Sequence, residues 1–559
     1  MKKILLWTMM AMLMVPMWSC DDYLDVDQTN ILPGDYMFKN QETAEAGLVG
    51  CYDTFYPTWG RYSGDLYMWV FKPEYQFAGN RTLDLQEDVY NNVWDAYNPS
   101  SGDLRCIWIG NYDRINRCNE FLAGLAEMDA SKFDGGQTTK DQMEAQARLI
   151  RVTSNFELVK NFGRIPLLQT GETYSNTPNK PRCDNVQEVW DMILADCEFA
   201  ASKLDWKPSK NSDGQYEYGR VTKGMALAYE AKAEMYLGNY DKAKQLYKQI
   251  IDSGTYSLEP CFSYLFDSDK SWSPEDIWAV VMWTDDGADK WSWSPSEDHY
   301  IYTIFTTGAT EFGGWGSMQI SWEFYKSFEK GDRRREQSVV GTGDTNVFTQ
   351  QTLSCKGTGH LMQDNHRPNV FSTKYWRKRT DWAYGVSAPF TLHHIRYAEV
   401  LLDYAECCFK TGNENEGWKY VQEIRNRAWG NLETTLNDPD YPIALLREKV
   451  EVPDAKTYYT KYKAEKGYTC DVPTLAVNME RRHEFNAEFC VYYDFVRTGF
   501  LQEFVDIEYP KGLGDRTDPN NWHTCRNYDY LKKSELLPIP QLEIDRNSAI
   551  SNEDQNPGY

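Results

Sequence analysis

The stretch YEAKAEMYLGNYDKAKQLYKQII, residues 229–251, indicates a pair of packed helices. Its second half repeats apolar side chains at positions i, i+3, i+4, i+7 and i+8, which is the spacing of one face of an α-helix. The residues on that face are Ala243, Leu246, Tyr247, Ile250 and Ile251. Ahead of them, Gly238 supplies a turn and Tyr240 is placed to pack between two helices, while the small Ala243 lets the second helix approach closely. This order of residues is typical of a tetratricopeptide helix pair.

A second copy of the pattern is YAEVLLDYAECCFKTGNENEGWKYVQEIRNRA, residues 397–428, with Gly412 at the turn and Gly417 in the small-residue position. Residues 190–201 show the same helical spacing. The sequence therefore predicts a mainly α fold. The two helix pairs do not form a simple tandem array, because long, irregular, aromatic segments lie between them. Such segments on a rigid helical scaffold are where a binding function is expected.

Composition narrows the class of ligand. Aromatic residues make up 15% of the 559-residue chain, with 20 Trp and 38 Tyr. A core needs far fewer large rings, so we expect some of them to lie at a surface with a use. The formal net charge is −24, which argues against a nucleic-acid partner and against an anionic membrane surface. A neutral, hydroxyl-rich ligand would be neither attracted nor repelled by this charge.

The first residues are typical of an export signal. MKK is followed by an apolar run over residues 4–17 that is too short to span a bilayer. We interpret residues 1–19 as a lipoprotein signal peptide and Cys20, in PMWSC, as the lipidated first residue of the mature chain. Trp18 departs from the usual residues before such a cysteine, and an ordinary secretory signal with a chance cysteine is the alternative.

The other cysteines show no metal-binding pattern. The sequence has no C-x-x-C pair and no histidine at zinc-finger spacing, so a structural metal site is not expected. Cys197 and Cys408 fall on helical patterns and are predicted to be buried free thiols. An extracytoplasmic location permits disulfides, but the sequence does not pair them. HExxH, GxSxG and phosphate-loop patterns are also absent.

Several motifs, in order along the chain, resemble the SusD/RagB family of surface glycan-binding lipoproteins of Bacteroidetes. They are the acidic DDYLD after Cys20, EAQARLIRVTSNFELVKNFGRIPLL at 144–168, the two helix-pair stretches, ERRHEFNAEFCVYYDFVRTG at 480–499, LLPIPQLEI at 536–544 and the final QNPGY. One departure is that Val491, Tyr492 and Tyr493 stand where the family commonly has an arginine beside an aromatic residue.

This resemblance implies one SusD-like domain over residues 20–559, with an N-terminal part at about 20–220 and a C-terminal SusD/RagB part at about 280–559. It implies a non-catalytic protein, lipid-anchored at the cell surface in the outer membrane, that captures an oligosaccharide or polysaccharide. The family acts in nutrient uptake as the lid of a SusC-like TonB-dependent transporter. The helical side would face the transporter and leave the aromatic loops for sugar. No cofactor is implied.

The candidate sugar platform comes from the aromatic segments, because flat C–H patches of sugars stack on indole and phenol rings. Trp315 is the first candidate, since its neighbouring glycines in GGWG leave its faces open and the resemblance implies a binding aromatic ahead of Asp332 and Arg333. Trp291 and Trp293 alternate with serines, which places both indoles on one side of an extended segment. Covering the scaffold is the alternative role for that pair.

The N-terminal half supplies further candidates. The rings are Trp69, Tyr75, Trp94 and Tyr97, and the hydroxyl partners are Asn80, Arg81 and Asp84. Four other tryptophans lie on helical or apolar patterns and are predicted to be core residues: Trp108, Trp190, Trp278 and Trp418.

Charged residues in the C-terminal half have a structural interpretation. Glu480, Glu484 and Glu488 stripe one helix face and could look catalytic, but the sequence places no recognisable partner acid across a cleft. We interpret them as a charged network that ties the helix to the body of the protein. His393 and His394, adjacent in a strand, point to opposite faces and make a poor joint metal site.

Two alternatives to a glycan-binding lid stay open at the sequence level. A peptide or other nutrient could be the ligand of the same architecture, and a surface glycoside hydrolase is a remote third hypothesis. Calcium could bind an acidic loop such as TDDGAD, residues 284–289, but that stretch lacks the spacing of a known calcium loop.

Overall fold

The structure is a computed structural model. It describes residues 38–55, 99–100, 102–210, 213–267, 270–281, 322–346, 352–353, 370–374, 391–432, 450–486, 488, 490–508 and 532–559. Among these residues, no helix combines the length and the apolar character needed to cross a membrane.

The N-terminal half of the described chain is helical. Its helices are α1 (Gln41–Tyr52), α2 (Gly102–Glu127), α3 (Gln137–Phe162), α4 (Gln187–Lys203), α5 (Lys223–Tyr236) and α6 (Tyr240–Asp252). From α2 onward each helix packs against the next one along the chain, and α1 packs on α2 and α3. Short 3-10 turns come after α1, α2 and α6, at Asp53–Phe55, Ala130–Lys132 and Phe262–Phe266.

The C-terminal half continues the helical layer. Its helices are α7 (Trp322–Ser327), α8 (Arg334–Ser338), α9 (Tyr397–Lys410), α10 (Glu414–Ala428), α11 (Ala455–Lys466), α12 (Val472–Phe485), α13 (Val491–Arg497), α14 (Leu501–Glu508) and α15 (Gln541–Arg546). Two more 3-10 turns are Lys532–Glu535 and Asn552–Asp554. Helix α9 is central, since it packs on α6, α10 and α12. The mainly α fold is therefore confirmed.

Both predicted helix pairs are present, and their small residues have the predicted roles. Helices α5 and α6 turn at Gly238, whose φ is +78°, and α9 and α10 turn at Gly412, whose φ is +79°. Such φ values favour glycine because they bring a Cβ close to the backbone. Ala243 is fully buried between helices. At Gly417, an added Cβ would lie 2.6 Å from the Phe409 ring.

Two small antiparallel sheets interrupt the helices. Strand β1 (Asp276–Val281) pairs with β4 (Thr391–Arg396), and β2 (Val339–Gly341) pairs with β3 (Val370–Ser372). In the first sheet Val281 lies opposite Thr391. Helix α9 follows β4 directly, so this sheet is fixed to the helical layer.

The predictions for core residues are largely confirmed. Trp108, Trp190 and Trp278 are buried in the hydrophobic core. Trp418 is only half-buried and packs edge-on against Phe409 at 5.0 Å between ring centroids. Cys197 and Cys408 are both buried free thiols, as predicted.

Candidate functional site

The ten predicted ligand-binding residues lie outside the described residues, as do Cys20 and the acidic stretch 284–289. The ten ligand-binding candidates fall in two segments, residues 56–98 and residues 282–321. The first holds Trp69, Tyr75, Asn80, Arg81, Asp84, Trp94 and Tyr97, and the second holds Trp291, Trp293 and Trp315. The sugar platform therefore stays a prediction.

The described residues that flank these two segments lie together. Phe55, the last described residue before the first segment, packs edge-on against Trp278 with ring centroids 4.8 Å apart. Trp278 is in strand β1, which ends at Val281, immediately before the second segment. Both aromatic segments therefore begin from neighbouring points of the scaffold.

The first segment ends beside a groove at helix α15. The Pro99 carbonyl oxygen accepts a 2.7 Å hydrogen bond from the Gln541 backbone N–H. The groove has a volume of about 340 Å³ and is lined by Trp108, Tyr174 and Glu543, among others. Trp108 Nε1 donates to Tyr174 Oη at 3.0 Å and to Glu543 Oε2 at 3.2 Å. With 2% of its surface exposed, the Trp108 indole is a structural part of this wall.

The three glutamates predicted to stripe one helix face are buried and paired. The predicted position is wrong for Glu488, because the backbone leaves the helical conformation at Asn486, where ψ is 133°, and helix α12 ends at Phe485. Glu480 lies 2.8 Å from both Arg334 and Arg425 and accepts a hydrogen bond from Tyr459 Oη at 2.7 Å. Glu484 contacts three arginines from other elements: Arg396 of β4, Arg334 of α8 and Arg427 of α10.

Glu488 completes the row. Its carboxylate lies 2.7 Å from Arg396 and 2.6 Å from the Lys374 ammonium. Arg396 also contacts Glu484 at 3.0 Å, so one guanidinium joins two of the three acids. The charged network predicted from the sequence is therefore present, and it connects helix α12 to helices and strands from both halves of the C-terminal region.

The electrostatics of this row favour permanently ionised carboxylates. Burial alone would raise the pKa of the Glu484 carboxyl, but attraction from Arg427, Arg396 and Arg334 outweighs it and lowers that pKa to about 2. The pKa values of Glu480 and Glu488 are lowered in the same way, against burial, by their arginine and lysine partners. Such groups hold no exchangeable proton near neutral pH, so this row is structural and unsuited to acid catalysis.

A second buried cluster has the only metal-like grouping found among the described residues. Ligand atoms of Glu399, Cys490 and Asp494 come within 4.8 Å of one another. The Lys232 ammonium lies 3.0 Å from Glu399 and 3.1 Å from Asp494, and it also contacts Asp403 at 2.8 Å. Because this ammonium already supplies the cation, the grouping is an ion-pair cluster.

The two adjacent histidines lie apart, as predicted. One of them, His393, is buried, with Nδ1 2.5 Å from Asp276 Oδ1 and Nε2 2.6 Å from the Leu265 carbonyl oxygen. His394 packs against Trp278, with ring centroids 4.3 Å apart. Burial lowers the pKa of His394 well below its usual range. These contacts give the pair no shared site.

One exposed aromatic feature was not singled out from the sequence. Tyr218 and Trp272 stack on each other and line a cleft together with residues 206–208 and strand β1. Neither residue belongs to a periodic pattern, so only the folded backbone brings them together. A Tyr-x-Tyr at 216–218 next to a glycine was the sole local signal.

The assignment to a family rests on comparison with known proteins. A family model described as the SusD family matches residues 274–559, more than half of the chain. The chain belongs to the SusD family. A second family model, described as starch-binding and associating with outer membrane, matches residues 22–237.

Relatives and solved structures in this family align over nearly the whole chain. A SusD-like protein of Formosa agariphila, called P2, is 24% identical over 98% of both chains. A crystal structure of a SusD-like protein from Bacteroides fragilis has a TM-score of 0.68 at 19% identity and covers 94% of this chain and 98% of its own. Surface glycan-binding protein A from Bacteroides thetaiotaomicron, in complex with laminarihexaose, has a TM-score of 0.65 at 20% identity and covers 92% and 99%. These structures share the SusD fold with this chain.

Proposed function

We propose that this SusD family member is a non-catalytic glycan-binding lipoprotein of the cell surface. Anchored through Cys20 in the outer membrane, it captures an oligosaccharide or polysaccharide and acts as the lid of a SusC-like TonB-dependent transporter. The observation that carries the proposal is the pair of family matches, because the one over residues 22–237 is described as starch-binding and associating with outer membrane. The laminarihexaose complex of a protein with the same fold supports the ligand class.

The scaffold geometry supports a shared ligand for the two aromatic segments. Phe55 and Trp278 are in contact, and residues 56–98 and 282–321 start next to them. Rings from distant parts of the sequence can therefore contribute to one platform. In this proposal Trp315, Trp291 and Trp293 stack against sugar rings, Trp69, Tyr75, Trp94 and Tyr97 extend the platform, and Asn80, Arg81 and Asp84 bond hydroxyls.

The buried ion pairs support binding without cleavage. A glycoside hydrolase needs two carboxyl groups on either side of the scissile bond, one of which holds a proton. The acids that the sequence offered for this role, Glu480, Glu484 and Glu488, are at most 4% exposed and are paired with arginine or lysine. A sugar cannot reach them in the folded protein.

Affinity electrophoresis of the mature chain tests the proposed function. Native gels would contain laminarin, amylopectin, xylan or polygalacturonate, and an unrelated protein of similar mass would be the reference. We expect at least one polysaccharide to retard the protein without the release of new reducing ends. Absence of retardation in every gel would contradict glycan capture, and release of reducing ends would contradict a purely binding role.

A further inference from the structure

A stacked pair of exposed rings comes from sequence outside both predicted aromatic segments. Tyr218 is 54% exposed and Trp272 is 36% exposed. Their ring centroids are 5.3 Å apart with 23° between the planes. Among the described residues these are the two exposed aromatic side chains, and they contact each other. A globular protein normally buries such rings unless their surface has a use.

The backbone holds Trp272 in an uncommon conformation. Its φ is +66°, and no other residue except glycine has a positive φ among the described residues. A bulky side chain at positive φ is strained, and such strain tends to persist at functional positions. Gly219, at φ +94°, lies against the indole, and a Cβ there would be 3.3 Å from Trp272 Cη2. The fold thus keeps this ring at the surface and leaves room for it.

The pair stands beside a cleft with suitable polar groups. The cleft has a volume of about 330 Å³, and its lining includes Trp206, Lys207, Arg220 and Ser273. The Lys207 ammonium lies 5.4 Å from the centroid of the Tyr216 ring, and the Lys207 side chain is exposed. An aromatic face next to hydrogen-bond donors is the arrangement that a sugar ring needs, since its C–H face stacks and its hydroxyls accept.

We propose that Tyr218 and Trp272 form a second carbohydrate-binding surface, which stacks against one pyranose ring of a bound polysaccharide. This inference rests on the proposed glycan-binding function and adds a contact point to it. Trp278 connects the two places, because it lines the cleft and also packs on Phe55, beside which both aromatic segments begin. The cleft therefore lies near the described residues from which both aromatic segments begin.

The test compares three variants in affinity electrophoresis with laminarin, amylopectin, xylan and polygalacturonate. Tyr218→Ala removes one ring of the pair. Trp272→Gly removes the other and suits the positive φ, which offsets part of the stability lost with the partly buried indole. Val49→Ala, on helix α1 with 48% of Val49 exposed, is the control for loss of an exposed apolar side chain. We expect the two ring variants to bind roughly tenfold more weakly, the effect of one lost stacking ring, and the control to be unchanged.

The outcomes separate this inference from the proposed function. Weaker binding by both ring variants, each still folded at the temperature of the gel, supports the second surface, whether or not Trp315→Ala also weakens binding. Unchanged binding by both ring variants overturns it, and if Trp315→Ala loses binding the proposed function still holds. No retardation of the wild type in any gel overturns both proposals.

Discussion

At the scale of single residues, the charged contacts of Glu406 connect stability to pH. This carboxylate on helix α9 lies 2.7 Å from Arg497 and 2.7 Å from Arg481. Burial alone would raise its pKa, but attraction from Arg497 and then from Arg481 outweighs burial and lowers the pKa to about 2. The Glu406 carboxyl has a higher pKa in the unfolded chain than in the folded protein. Ionised Glu406 therefore stabilises the folded state at pH values above its pKa in the unfolded chain. That stability is lost as pH falls toward 2.

We therefore expect the free energy of unfolding to fall between pH 5 and pH 2, with a contribution of about 3 kcal/mol from Glu406. Glu406→Gln should lower the free energy of unfolding at pH 7 by about 3–5 kcal/mol, because it leaves two buried guanidinium groups with less negative charge. It should also flatten the pH dependence. Urea unfolding at several pH values measures both effects. An identical slope with pH in the variant would contradict the role given to Glu406.

Residues whose role depends on neighbours in sequence were predicted well, and those that depend on the folded backbone were not. The turn at Gly238 and the small residue at Ala243 could be predicted, because residues three to five positions apart have a fixed relation on and next to a helix. Tyr218 and Trp272 meet only because the chain between α4 and β1 folds back and Trp272 takes a positive φ. No local spacing carries that information, so sequence patterns passed over this pair.

At the scale of secondary-structure elements, the second helix pair depends on a glycine in a helix. Gly417 is buried in α10, and an added Cβ would lie 2.6 Å from the ring of Phe409 on α9. That ring also packs on Trp418 at 5.0 Å, so it cannot shift without disturbing a second contact. The close approach of α9 and α10 is therefore set by a residue without a side chain.

Alanine substitutions at two helical glycines test this packing. Gly50, in α1, has open space where a Cβ would stand. Gly50→Ala should raise the free energy of unfolding by up to about 1 kcal/mol, because alanine favours a helix more than glycine does. Gly417→Ala should be less stable than Gly50→Ala by about 1–3 kcal/mol, the usual cost of overpacking. Equal stability of the two variants in urea would contradict the close contact.

The charged row at α12 shows which features of a helix could be predicted from the sequence and which could not. Spacing correctly placed Glu480 and Glu484 on one helix, but Glu488 lies beyond the end of α12. The sequence also predicted that basic side chains would be their partners. Which arginines contact them did not follow, since Arg334, Arg396 and Arg425 come from three other elements. The predicted sugar platform lies outside the described residues and stays a prediction.

At the scale of the whole molecule, the proposed lipid anchor gives a direct test of location. Replacing Cys20 with Ala removes the acceptor thiol, so we expect the chain to leave the membrane fraction of the cells that express it. Cys470→Ala, at a half-buried free thiol in the folded part, is the matched control and should stay in the membrane fraction. Fractionation followed by immunoblotting makes the comparison, and a Cys20→Ala chain that still sediments with membranes would contradict lipid attachment at this residue.

In the proposed function, the aromatic segments bind a glycan while the helical scaffold serves as a rigid support. This proposal predicts that a tryptophan in the second segment matters for binding and that one on the helix pair does not. Trp315→Ala removes the first candidate, and Trp418→Phe keeps an aromatic ring against Phe409 in the second helix pair.

Isothermal titration calorimetry of the wild type and both variants, with the polysaccharide that retards the wild type most strongly, is the most direct measurement. We predict that Trp315→Ala weakens binding by about 1–3 kcal/mol, the range for one stacking ring, while Trp418→Phe leaves the affinity unchanged. Equal affinity of Trp315→Ala and the wild type would contradict the predicted platform.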